Sequence, residues 1–490
     1  MSEPLILVLD EGTTSTRAML FTGAGEWRGA AQRELTQHYP RPGWVEHDAD
    51  EIWRRTLECA GEMVARAGGA ERIAAIGIAN QRETVVAWDK GTGEPLARAL
   101  VWQDRRTAEA CEALRQAGHE EAVRAQTGLL LDPYFSATKM RWLLDNEPAV
   151  ADAARAGRLA LGTVESWLVF KLSGGEHLSD VSNASRTLLL GLDSLAWDPG
   201  LCDLFGVPRS ALPGISLNAG PVAWTRPELF GGRILIAGAV GDQQAATIGQ
   251  GCLVPGASKA TFGTGAFVLA NAGAEVPRSR HRLLGTVLYA IDGERRYALE
   301  GSVFVAGSFI KWLRDTLGFI ETAAETEALA RSVEDSGGVV VVPALSGLGA
   351  PHWRPEARGI ITGLTFATSK AHIVRAALGA MAHQTLDLAA AFAADGAPWS
   401  VLKIDGGMSA NDWLAQDIAD VTGLAVVRPD FVETTALGAA MLAALGAGIH
   451  PSLEAAAAAM IGPETRFMPA MAPEVREQRL AEWAAALAKV

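Results

Sequence analysis

Apolar and polar positions fall along the chain in short blocks, and the first block sets the pattern. Leu5-Ile6-Leu7-Val8-Leu9 is an apolar run, Asp10 to Arg17 is polar with Gly12 at its centre, and Ala18-Met19-Leu20-Phe21 is apolar again. Two runs of strand length around a glycine predict a β-hairpin whose tip carries the hydroxyls of Thr13, Thr14 and Ser15. Trp27 to Leu35 supplies a third strand. Asp48-Ala49-Asp50-Glu51 opens a helix, because carboxylates suit its positive end and Ile52, Trp53, Leu57, Ala60 and Val64 follow at helical spacing. Ile73 to Ala79 and Ile234 to Val240 read as short buried strands, with Thr84 to Trp88 expected to pair as the strand next to the former. They end at Asn80-Gln81-Arg82-Glu83 and Gly241-Asp242-Gln243-Gln244, and polar strand ends are where open α/β sheets hold ligands.

The theme returns halfway along. Ser258 to Leu269 is again strand, Gly/Thr tip and strand, around Gly263-Thr264-Gly265. Val401-Leu402-Lys403-Ile404 then runs into Asp405-Gly406-Gly407, and helical patterns cover Ala371 to Phe392 and Asn411 to Thr422. A hairpin opening each half predicts a duplicated α/β domain clasping one nucleotide, divided at residues 1–250 and 251–490. Thr434 to Leu453 has no formal charge, yet its helical part is shorter than the roughly 20 apolar residues a membrane span needs. A buried small-residue helix is expected there.

Composition narrows the partners. The 490 residues are 49% hydrophobic and 20% charged, enough for sizeable cores, and the net charge of -13 opposes nucleic acid and anionic membranes. A small-molecule partner fits better. Cys59, Cys111, Cys202 and Cys252 form no Cys-x-x-Cys pair, so neither a structural zinc site nor a disulfide framework is expected. With no basic segment ahead of a signal-type apolar stretch, a cytoplasmic chain is expected. The sequence leaves a homo-oligomer open. Asp10, at the end of the first strand, is a candidate for hydrated magnesium beside a phosphate-handling tip.

Several blocks together resemble the FGGY carbohydrate kinases, and within them the branch that acts on glycerol. They include Pro42-Gly43-Trp44-Val45-Glu46-His47-Asp48, Asn80-Gln81-Arg82-Glu83-Thr84, Val101-Trp102-Gln103, Asp132-Pro133-Tyr134-Phe135-Ser136, Asn183-Ala184-Ser185-Arg186-Thr187, Gly241-Asp242-Gln243-Gln244, Leu299-Glu300-Gly301 and Asp405-Gly406-Gly407. The resemblance implies two ribonuclease H-like, actin/hexokinase-type domains flanking a cleft for ATP, with Mg2+ as cofactor, and γ-phosphoryl transfer to glycerol. It implies that Arg82, Glu83, Trp102, Tyr134, Asp242, Gln243 and Phe267 hold the polyol, with Asp242 as catalytic base and Asp10 toward the metal. Thr13, Thr14, Ser15, Arg17 and Thr264 would meet the phosphates, and Gly307, Lys311, Gly407 and Asn411 the nucleoside side. The pattern departs at Glu11, where an amide is usual and a carboxylate would place negative charge beside the phosphates, and at Lys311, where an amide would contact nucleotide. Two other readings stay open: a sister kinase for erythritol or xylulose, and an actin-like protein using ATP as a switch.

Overall fold

The computed structural model describes residues 3–303, 305–354 and 356–490. Two sheets organise it. The first holds β1 (Leu5–Glu11), β2 (Ser15–Thr22), β3 (Trp27–Glu34), β4 (Ile73–Asn80), β5 (Ala219–Trp224) and β6 (Leu235–Gly241), in the order β5-β6-β4-β1-β2-β3. β1, β2 and β3 are antiparallel, β4 and β6 lie parallel to β1, and β5 returns antiparallel at the edge. The second sheet holds β7 (Ala257–Phe262), β8 (Ala266–Gly273), β9 (Leu284–Ile291), β10 (Glu294–Val303), β11 (Val401–Asp405), β12 (Val426–Pro429) and β13 (Glu464–Phe467), ordered β9-β10-β8-β7-β11-β12-β13. Apart from the added β9 it repeats the first: three antiparallel strands, two parallel to β7, and an antiparallel edge.

Local chemistry explains the main elements. The first helix, α1 (Ala49–Ala67), starts where expected, because the Asp48 carboxylate accepts from the backbone N–H groups of Asp50 and Glu51. Later helices are α2 (Asp242–Gly249), α3 (Gly307–Asp315), α4 (Lys370–Ala394), α5 (Asp412–Thr422) and α6 (Thr434–Gly446). The uncharged stretch opens with a helix, buried at Thr434 and from Ala436 to Ala444, and no helix among the described residues is long and apolar enough to cross a membrane. α6 belongs to the second half of the sequence but lies on the first sheet, where Leu437, Ala440 and Met441 share a core with Ile6, Val8 and Val240. Its glycine explains the close fit to α2: a Cβ on Gly438 would stand 1.9 Å from the Ala245 carbonyl oxygen.

One strand goes elsewhere. Val86–Asp89 does not extend the first sheet beside β4 but pairs antiparallel with Leu159–Gly162 in a small separate sheet. Both neighbours of β4 are already taken, by β1 and β6. The polar turn between Asn80 and Glu83 therefore carries the chain off the sheet edge, and this departure leaves Arg82 and Glu83 at its end.

Candidate active site

The parallel strands of the first sheet end together, and their terminal residues converge. Arg82 follows β4 and Asp242 follows β6 as the first residue of α2. Arg82 is 3% exposed, and its guanidinium is divided among several partners. Nη1 donates to Glu300 Oε2 at 2.6 Å and Gln244 Oε1 at 3.2 Å, Nη2 donates to the Tyr134 hydroxyl at 3.1 Å, and Nε lies 3.4 Å from Asp242 Oδ1. Glu83 is equally buried and accepts from Arg186 Nε at 2.6 Å. It sits at φ 63°, a left-handed conformation that costs a non-glycine residue energy and is held by the surrounding ion pairs. The arrangement is a buried charge cluster rather than a solvated loop pair.

Asp242 is the exposed member. Its side chain is 31% accessible while those of Arg82, Glu83 and Glu300 are closed off. Loss of solvation raises its carboxyl from 3.8 to about 6 despite the pull of Arg82, with Glu83 adding to the rise and the Gln243 N–H and Lys259 opposing it. A partly accessible carboxylate raised to about 6 suits proton acceptance at neutral pH. Apolar walls stand beside it. Trp102 packs edge-on against Tyr134 and Phe267 at 5.7 and 6.4 Å between ring centres, and its indole N–H donates to Thr13 Oγ1 at 2.9 Å. The rings thus link the charge cluster to the first hairpin tip, and Phe267 brings in β8 of the second sheet.

Gln243 makes a second crossing. Its Oε1 accepts at 2.7 Å from Lys259 Nζ on β7, which also donates to Thr261 Oγ1 at 2.8 Å. Lys259 is fully buried, and desolvation lowers its pKa.

The two hairpin tips differ in chemistry. In the first, the Gly12 N–H closes the turn on the Ser15 carbonyl at 3.0 Å, leaving Thr14 exposed. Ser15 Oγ accepts from Gln32 at 3.2 Å. Arg17 is held between Asp10 at 2.5 Å and Glu433 at 2.6 Å, so it already serves two carboxylates. Burial raises the Asp10 pKa against the opposing charge of Arg17. Among the described residues no three His, Cys, Asp or Glu side chains cluster as a metal site. In the second tip Thr264 is exposed, and the carbonyls of Gly263 and Thr264 accept from the Gly307 and Ser308 N–H groups at the start of α3. Gly406, at φ 84°, packs so closely under β7 that a Cβ would lie 2.5 Å from the Phe262 carbonyl, whereas nothing stands within 4 Å of a Cβ on Gly407.

One sequence expectation changes. Glu11 does not reach the phosphate side. Side chains alternate along a strand, so it points with Leu7 and Leu9 into the layer under α1 while Asp10 points the other way with Ile6 and Val8. It is fully buried, accepts from Thr56 Oγ1 at 2.8 Å, and desolvation raises it from 4.5 to about 8, which keeps it neutral like the amide it replaces. Asn411 spends its side chain locally: Oδ1 caps α5 through the Leu414 N–H at 2.9 Å and Nδ2 donates to Thr326. Lys311 is exposed on α3.

Arg186, Glu300, Gln244 and Lys259 carry no assigned role in the sequence reading, yet all four are buried at the cluster. The available signal was an isolated charge inside an apolar strand, as in Ala298-Leu299-Glu300-Gly301 and Ala257-Ser258-Lys259-Ala260.

With two repeated sheets and a charged strand-end cluster bridged by residues of both, the comparison with known proteins is direct. Residues 5–249 match the N-terminal domain of the FGGY family of carbohydrate kinases and residues 258–447 its C-terminal domain. The chain belongs to that family. A glycerol kinase of Alcanivorax borkumensis is 52% identical over 490 residues, covering 99% of this chain and 98% of that protein. One of Rhodospirillum rubrum is 51% identical over 490 residues, covering 99% of both. The crystal structure of Plasmodium falciparum glycerol kinase with ADP superposes with a TM-score of 0.95 at 34% identity, covering 99% of this chain and 98% of that one. A xylulose kinase of Rhodospirillum rubrum superposes at 0.87 with 26% identity, covering 99% and 98%.

Proposed function

We propose that this chain transfers the γ-phosphoryl group of ATP to a terminal hydroxyl of glycerol, giving sn-glycerol 3-phosphate and ADP. The observation that carries the reading is Asp242, raised to about 6 and open to the cleft, beside Arg82 and the Trp102, Tyr134 and Phe267 walls. Near full-length similarity to glycerol kinases supports the choice of acceptor over other FGGY substrates.

The chemistry follows from the geometry. A triol offers little apolar area, so selection rests on directed hydrogen bonds from Arg82, Glu83, Asp242 and Gln243, with the three rings behind its carbons. Asp242 takes the hydroxyl proton as the oxygen attacks the γ-phosphorus. The bond to the β–γ bridging oxygen breaks, and its electron pair leaves with ADP. Phosphoryl transfer asks mainly for positioning and dispersal of charge, which Thr13, Thr14, Ser15 and Arg17 supply from one tip and Thr264 from the other. Asp10, whose second carboxylate oxygen is not bonded by Arg17, would hold a hydrated Mg2+, since that ion keeps several waters and needs only one or two carboxylates; the ion would supply charge to offset the phosphates. Residues 1–250 then carry the acceptor pocket and first phosphate hairpin. Residues 251–490 carry the second hairpin and the nucleoside side, with Gly307 and Gly407 allowing close backbone approach. A reducing, cytoplasmic setting agrees with the four buried free cysteines.

The test is a panel of glycerol, erythritol and xylulose with ATP, read as phosphorylated product. Glycerol 3-phosphate as the dominant product supports the reading. Preferred phosphorylation of another polyol would move the chain to a sister activity, and ATP-dependent polymers with no phosphorylated polyol would make it a nucleotide switch.

A further inference from the structure

The floor of the acceptor pocket contains a charge that the sequence places in the other half of the molecule. Glu300 lies on β10 of the second sheet, is 1% exposed, and divides its carboxylate between two arginines of the first half. Oε2 accepts from Arg82 Nη1 at 2.6 Å and Oε1 from Arg186 Nη2 at 2.9 Å. Arg186, fully buried, in turn donates to Glu83. Burial by itself would raise the Glu300 carboxyl, yet Arg186 and Arg82 outweigh it and hold it at about 2, so it stays charged at any working pH. The charged groups that face Asp242 are Arg82, Glu83 and Lys259, with Glu300, Tyr134 and Arg186 packed around them.

We propose that Glu300 is a positioning residue for the acceptor pocket. Reaching in from the second half, it fixes Arg82 against Tyr134 and Asp242, orients Arg186 on Glu83, and offsets part of the guanidinium charge that Asp242 feels. The base then has its working environment only when the two halves are in register. Without Glu300 each half is expected to keep its fold, but Arg82 would be freed to close on Asp242, which it now meets at 3.4 Å. This rests on the phosphoryl-transfer reading above, and wild-type product formation in the same assay tests that reading separately.

Glu300→Gln keeps the shape and removes the charge. It is expected to lower kcat/KM for glycerol by about 100-fold, since removing one partner of a buried ion pair leaves the other uncompensated. It should also move the acidic limb of the pH profile downward by about half a unit or more, because Asp242 then meets a less neutralised Arg82. Arg186→Gln is the counter-test: it strengthens the net negative field and should move the same limb upward. Glu300→Asp retains the charge on a shorter arm and should hold the limb at its wild-type position while raising the KM for glycerol more than that for ATP. Thermal melts identify which variants are folded, and any one folded variant decides. A limb that stays put in either Gln variant, or an Asp variant that shifts it or weakens ATP and glycerol equally, would reduce Glu300 to a structural ion and overturn the proposal.

Discussion

The two sheets share one topology and differ in what stands at their strand ends. In the first, β1, β4 and β6 deliver Asp10, Arg82 with Glu83, and Asp242, all charged. In the second, the tip after β7 is Gly263-Thr264-Gly265 and the turn after β11 is Gly406-Gly407, backbone with scarcely a side chain. Asp405, the last residue of β11, accepts from Gln250 Nε2 and Thr434 Oγ1, each at 2.6 Å, and holds α6 and the end of α2 in place. In the proposed function the same scaffold serves two recognition problems. A small neutral polyol must be distinguished by directed polar side chains, while phosphates and a nucleoside are met by N–H groups that glycine lets come close. In that proposal duplication supplies the frame, and the strand-end residues assign each half its task.

That division can be broken most severely at its reacting end. Asp242→Asn should fold and bind glycerol but lose roughly 10²- to 10⁴-fold in kcat, the usual worth of a general base, as read in a coupled kinase assay. Trp102→Ala removes the wall shared by Tyr134, Phe267 and Thr13, and should raise the KM for glycerol about ten-fold, roughly 1.4 kcal/mol, with the KM for ATP less affected. The reverse asymmetry is expected for Thr264→Ala in the second tip, where loss of one hydrogen bond, about 1 kcal/mol, should raise the KM for ATP about five-fold and spare glycerol. Equal effects of both changes on both substrates would dissolve the distinction between the halves.

The smallest effect concerns Glu11, which lies in the first hairpin but outside its chemistry. Its carboxyl is protonated in the fold and ionises readily once unfolded, so unfolding releases a proton. The stability it contributes is full below about pH 4.5 and is lost as pH rises toward 8. Glu11→Gln should therefore leave turnover unchanged and show a higher Tm than the parent at pH 8, with the advantage shrinking by pH 5 in parallel thermal melts.

The hairpins, the Asp48-capped helix and the small-residue helix α6 were legible because each is written in local patterning: two apolar runs about a glycine, a carboxylate ahead of a helical stripe, a charge-free Ala/Gly run. The convergence of Arg82, Asp242, Trp102, Tyr134 and Phe267 was legible only through the family resemblance, since these side chains come from five separate segments. Period-two alternation was enough to separate Asp10 from Glu11, although a reading by proximity to the tip put both beside the phosphates. The fate of Val86–Asp89 was hidden because pairing depends on whether β4 has a free edge, which β6, more than 140 residues later, decides. Glu300 was hidden for the same reason, as a strand residue whose partners lie in the other half.

The pH profile of kcat/KM for glycerol tests the central claim most directly. If Asp242 must be ionised to accept the hydroxyl proton, activity falls about ten-fold per pH unit below a limb near pH 6, and the limb vanishes in Asp242→Asn. An Asn variant that keeps turnover within ten-fold of the parent and shows the same limb would contradict the assignment of the first half as the acceptor and base side of the reaction.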